Sequence, residues 1–137
     1  MKRDWDLIRK LLTEIEEEKN YLADIPPEPK WGDETEREYN ERYEAYRKVE
    51  DRILGHLEML VDNGYVKGVQ VVRSLDGSFA VSRSSSRLTM AGHDLLDTMR
   101  SSPVWETIKS TAKSKGIELT FDTIKSLGAF ALKQLIG

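Results

Sequence analysis

The sequence has no cysteine. That excludes disulfide staples, zinc–thiolate centres and thiol catalysis. It has only two histidines, His56 and His93. His93 and Asp97 fall one helical turn apart and could share a metal, but no third ligand accompanies them, and a structural hydrogen bond is the simpler reading. No glycine-rich phosphate loop occurs, and no Ser, His and Asp segments match a hydrolase pattern. No apolar run reaches the ~20 residues of a membrane-spanning helix. The opening MKRDWDL leads directly into an amphipathic pattern without the apolar stretch of a signal peptide. These absences lead us to expect a cytoplasmic, non-enzymatic protein with no catalytic residues, metal, cofactor or membrane contact.

The chain has 137 residues. That is one domain's worth, enough to bury a core without cross-links. Its net charge of −3 is unevenly spread. Residues 1–50 carry 10 basic and 15 acidic side chains (−5), and residues 51–65 carry 1 and 3 (−2). Residues 66–115 carry 8 and 4 (+4), and the last 22 residues balance. Only the middle of the chain could attract a polyanion.

The most organised stretch is Ile53–Met99. A helical pattern ends at Asn63-Gly64, a C-terminal signal. Val69, Val71, Phe79 and Val81 then alternate with polar residues about an Asp76-Gly77 turn, as in a half-buried hairpin. Thr89 caps a new helix that runs to about Ser101. Helix, hairpin, helix predicts a mainly α fold with a small antiparallel sheet: a winged helix-turn-helix with extra C-terminal helices.

The flanks fit around this unit. Asp4 caps a helix over about 4–19, with Ile8, Leu12 and Ile15 on its buried stripe. Asp4 and Asp6 read as helix-start acids that complement the macrodipole rather than as a metal pair. Pro26-Pro27 and Pro29 make Tyr21–Gly32 a semi-rigid linker. From Asp33, a possible cap, to Asp62 the pattern is one long helix or two with a bend near Arg47–Glu50. Glu38/Arg42 and Glu44/Lys48 are favourable pairs on it. We treat 20–48 as an insertion in a single domain spanning 1–137, and 103–137 as a helical extension. In the extension Ser102 caps, Pro103 opens and Gly116 closes one helix. Thr120 caps the last, whose stripe is Phe121, Ile124, Leu127, Ala131 and Leu135, widened by Phe130, Leu132 and Ile136. The expected core is Ile8, Leu12, Ile53, Leu57, Leu60, Val71, Leu88, Leu95, Trp105, Ile108, Ile124 and Leu127.

Several segments resemble those of known proteins. His56-Leu57, Leu60 and Asn63-Gly64-Tyr65-Val66 resemble the HLxxLxxxGLV segment of winged-helix regulators. Arg87-Leu88-Thr89, Gly92-His93 and Leu95-Leu96-Asp97 resemble the RLTxxGHxFLD segment of an uncharacterised domain family of bacteria and their phages. Met1–Arg9 and Val104-Trp105 also match that family. The resemblance implies a winged-helix-like fold and supplies no catalytic residues.

Two partner classes remain open. Arg73, Arg83, Arg87, Lys109 and Lys113 are candidates for phosphate contacts with double-stranded DNA, and Ser82–Arg87 could touch backbone or be a solvated loop. Against this, the exposed residues of a recognition helix would be Glu50, Asp51, Arg52, Gly55 and Glu58, a net negative set. Alternatively Tyr39, Tyr43 and Tyr46, stepping at helical spacing, pack on this chain or meet a protein partner, including a second copy in a homodimer joined by this helix, the last helix or both.

Overall fold

In the computed structural model, which describes residues 2–136 (backbone only for 135 and 136), local capping chemistry sets most element boundaries. Helix α1 spans Trp5–Glu16, and the Asp4 side chain accepts the Leu7 N–H at 3.1 Å. It ends earlier than the sequence pattern suggested. Glu18 adopts a left-handed conformation (φ 58°), and the Lys19 N–H returns to the Glu14 carbonyl at 2.8 Å. This back-bond closes the helix as a Schellman-type turn, although no glycine marks it.

Helix α2 spans Glu36–Asp62 without a break. The alternative of two helices bent near residue 47 is therefore excluded, as the absence of any breaker there allows. Its cap is Thr35, not Asp33. Thr35 and Glu38 bond reciprocally in a capping box. That use of Glu38 removes the expected Glu38/Arg42 pair, and Arg42 reaches Glu34 instead. The Lys48–Glu44 pair forms at 3.7 Å. Gly64 takes φ 77° at the C-terminal end, and the Tyr65 N–H reaches the Leu60 carbonyl at 2.9 Å.

Strands β1 (Val66–Arg73) and β2 (Phe79–Leu88) form one antiparallel hairpin. Asp76 organises its turn by accepting the N–H and hydroxyl of Ser78. The Ser82–Arg87 run, expected as a loop, lies within β2. It stays extended because β2 bulges there. Lys67 pairs with Arg87 and Val69 with Arg83, so Gly68 alone faces three serines. Gly68 (φ 77°) and Ser85 (φ 53°) absorb the mismatch. A Cβ on Gly68 would collide with the carbonyl oxygens of Ser84 and Ser85.

Helix α3 spans Met90–Met99, behind a Thr89 cap. Helix α4 spans Ser102–Lys115, and α5 spans Phe121–Ile136. The cap of α4 is Ser101 rather than Ser102, which places Pro103 second in the helix, where its missing N–H costs nothing. Thr120 receives the Thr123 N–H at the start of α5.

The core joins α1, the C-terminal third of α2, α3, α4 and the inner face of α5. Ile8, Leu12, Ile53, Leu57, Leu60, Leu88, Leu95, Trp105, Ile108 and Ile124 are buried, as expected. Val71 and Leu127 are only half-buried beside it, because the hairpin stands off the helices and α5 covers the core with one edge. Leu135 and Ile136 lie outside the described side chains. The result is a mainly helical, winged-helix-like arrangement with one two-stranded sheet. Buried residues of α2 begin only at Ile53. The preceding 36–52 stretch therefore projects as an arm of ~25 Å at 1.5 Å per residue.

Candidate nucleic-acid interface

The candidate cations fall into three groups. Arg73, near the hairpin tip, is held by the carboxylate of Glu58 on α2 at 3.0 Å and lies over the Phe79 ring. The bond to Glu58 raises the Arg73 pKa above its already high value. Lys109 on α4 is held by Asp6 at 3.0 Å and by Glu106 at 3.1 Å. The Asp6 bond raises the Lys109 pKa. Both side chains are committed within the molecule. Lys113 is exposed on the last turn of α4.

Arg83 and Arg87 form the third group, on β2. Arg83 lies over the Tyr21 ring, 5.5 Å from its centroid, and donates to the Asn20 side chain. Arg87 donates to the Ser85 carbonyl at 3.1 Å. Among the described residues neither meets a carboxylate. The hairpin register adds a residue the sequence reading missed. Lys67 stands directly opposite Arg87, and both are exposed. Like charges in direct cross-strand pairing are destabilising. No sequence signal gave this pair, because the bulge shifts the register by two residues on β2. The bulge itself is pinned by Tyr21, whose hydroxyl bonds Ser86 at 2.6 Å. Tyr21 thus belongs to the core and not to a free linker.

The expected recognition surface of α2 is mostly unavailable. Gly55 is buried, contrary to its expected exposure, because this part of the helix is core. Glu58 is spent on Arg73, and Arg52 pairs with Asp4. His56 is fully buried beside them. Its Nε2 accepts the Asp4 N–H at 2.8 Å, which puts its proton on Nδ1, facing the Arg52 carbonyl at 2.6 Å. His56 is therefore a structural link between α1 and α2.

The other polar pairs are likewise structural. Burial alone would raise the Asp4 pKa, but the Leu7 N–H and Arg52 outweigh it and lower it. Asp6 is lowered in the same way, against burial, by Trp105 and Lys109. His93 and Asp97 do not face a common metal position. His93 meets Glu16 at 3.2 Å, while Asp97 pairs with Arg100. Arg100 also clasps Glu16 with two bonds of 2.7 Å, and this holds the Glu16 pKa down. Among the described residues no group of three or more His, Asp or Glu gathers to hold a metal.

The three tyrosines form a ladder along the arm, with ring centroids 5.9 and 5.7 Å apart, extended by Trp31 at 5.0 Å from Tyr39. They are half-buried beneath the proline-rich linker, and Tyr43 donates to Glu28 at 2.9 Å. Trp31 ends the ladder at 60% exposure. The hairpin leans on the same arm, because Arg47 donates to the Asp76 carbonyl at 2.8 Å.

Residues 2–118 match the family described as Hypothetical protein (DUF2513). The chain belongs to this family. The matched span ends before α5 begins. A relative from Haemophilus influenzae strain Rd, described as an uncharacterized protein, is 29% identical over 137 residues, covering the whole of both chains. No solved structure matches the chain. Among the described residues no helix is long and apolar enough to cross a membrane. The segments that suggested the family have structural roles here. Thr89 caps α3 and also donates to the Gly64 carbonyl, and Gly92 lets α3 sit against Tyr65.

Proposed function

We propose that this DUF2513 protein is a small, non-enzymatic, cytoplasmic regulator of a bacterium or phage that docks on the nucleic-acid backbone through the base of its hairpin. Lys67, Arg83 and Arg87 make the contacts. The observation that carries this reading is the exposed Lys67–Arg87 pair. Two cations face each other beside a glycine bulge, and no described carboxylate neutralises them. A phosphate between them converts a repulsive pair into a binding site. Arg73 and Lys109 are already neutralised by Glu58 and Asp6 and contribute little. Lys113 stands on α4, a separate element from the hairpin.

The test is binding to random-sequence duplex DNA as salt is varied. Three phosphate contacts predict a slope of about −3 in log affinity against log salt, and each of Lys67→Ala, Arg83→Ala and Arg87→Ala should flatten it by about one unit. Arg73→Ala should leave the slope unchanged. Absence of binding at low salt, or a slope indifferent to the hairpin variants, refutes this reading. A second reading is favoured by the exposed Trp31 at the end of the tyrosine ladder. In it the arm meets a protein, including a second copy of the chain. It gains if DNA binding fails while the protein self-associates and Tyr43→Glu with Tyr46→Glu abolishes that association.

A further inference from the structure

A separate hollow of about 240 Å3 opens at the other end of α2. Three aromatic side chains, Trp5, Tyr65 and Phe121, stand around it, each only half-buried. Its floor includes the buried side chains of Ile8, Leu60 and Leu95. Three large rings thus border an open hollow whose floor is apolar. The walls are set in advance. The Trp5 indole N–H donates to the Leu119 carbonyl at 2.9 Å, and Tyr65 and Phe121 pack on each other at 5.8 Å.

One cation lines the hollow. The Arg3 guanidinium lies 5.5 Å from the Trp5 ring centroid. Arg3 meets no carboxylate among the described residues. The volume falls below the ~300–1,000 Å3 of pockets for drug-sized ligands, so it suits a single planar ring system.

We infer that this hollow binds a small planar aromatic anion, its ring between Trp5, Tyr65 and Phe121 and its charge on Arg3. Aromatic faces supply stacking and Arg3 supplies an anion contact that also orients the ring. A free aromatic carboxylate and the base and phosphate of a nucleotide share this chemistry. The site is independent of the hairpin and stands whether or not the hairpin binds DNA.

The three tryptophans, Trp5, Trp31 and Trp105, provide separate reporters. The full-length protein, labelled with 15N, is titrated with indole-3-acetate, with dAMP and with inorganic phosphate while the three indole N–H resonances are followed. A saturable shift of Trp5 alone by a ring-bearing probe supports the inference, and which probe acts identifies the source of the ligand. Phosphate alone should leave all three unmoved. Arg3→Ala, at an exposed position, should weaken binding about tenfold, and Phe121→Leu by a similar factor. The same spectra report whether each variant is folded. The triple variant Lys67→Ala, Arg83→Ala, Arg87→Ala should bind the probe as the parent does, which separates this result from the DNA test. The inference is overturned if neither ring-bearing probe moves Trp5 at ~10 mM, an affinity too weak to be a built site. It is overturned equally if Arg3→Ala binds unchanged or if all three indoles move together.

Discussion

Gly92→Ala should destabilise the protein, although alanine is the better helix former. Gly92 sits in the first turn of α3, and the Thr89 side chain accepts its N–H. A Cβ there would point at the Tyr65 carbonyl oxygen, far inside the 3.0 Å below which such contacts are not seen. That carbonyl is not free to retreat, because it accepts the Thr89 N–H at 3.0 Å. Moving it strains the junction between α2, β1 and α3. Replacing glycine in a helix interior gains ~0.5–1 kcal/mol where nothing clashes. Overpacking against fixed backbone costs ~1–3 kcal/mol, and weakening one backbone hydrogen bond adds ~1 kcal/mol. The balance is a loss of ~2 kcal/mol, or ~5–10 °C in Tm for a chain of this length. Urea unfolding followed by circular dichroism measures it. Gly128→Ala is the internal comparison: its Cβ would crowd only the Thr98 methyl, a side-chain atom, so it should cost less. A Gly92→Ala protein as stable as the parent refutes the packing argument.

Stability should also fall in acid. Glu16 and Asp4 have lowered pKa values in the fold, Glu16 chiefly through Arg100 and Asp4 through the Leu7 N–H and Arg52 against the opposing effect of burial. Their contribution is therefore fully present above their ordinary values of 4.5 and 3.8 and is lost as pH drops through the lower folded-state values. The urea midpoint should decline below about pH 4.5, less steeply in Glu16→Gln, and a midpoint flat down to pH 3 contradicts this. Hydrogen exchange should divide α2 in two, with amides of 37–48 exchanging well before those of 53–62, because only the latter lie in the core. Equal protection along the helix would show that the arm is anchored by more than its ladder.

What could be read from the sequence was what short-range chemistry decides. Asp4, Gly64, Thr89, Gly116 and Thr120 each act within about four residues, and each ends or starts a helix where its type suggests. Boundaries failed where a partner outside that window decided. Serine and arginine are not among the residues enriched in strands, so Ser82–Arg87 reads as loop. It is a strand because Gly68 tolerates the bulge and Tyr21, 65 residues away, bonds Ser86. The candidate site was legible only in part for the same reason. Arg83 and Arg87 stand out in a basic stretch, but the neutralisation of Lys109 by Asp6 spans 103 residues, and Lys67 gains its meaning only from register.

The charge layout also decides how such a protein could approach a polyanion. Residues 24–51 hold ten acidic and five basic side chains, net −5, whereas the hairpin, 66–88, holds four basic and one acidic, net +3. Arg47 of α2 and Arg73 of β1 tie the outer half of the hairpin to α2, and the Arg73–Glu58 pair spends positive charge of the hairpin on the helix. The base of the hairpin keeps its three cations exposed. Helix α2 itself cannot enter a groove as a recognition helix. Its apolar third is core, and its projecting part, 36–52, carries six acidic and five basic side chains and so offers phosphates no net attraction. Hairpin-first docking therefore offers backbone contacts and no base-reading helix, so a sequence-independent affinity with steep salt dependence is the form that DNA binding by this fold should take. A marked preference for one operator sequence over random duplex would require base-edge contacts beyond the backbone contacts of Lys67, Arg83 and Arg87, and would count against this docking.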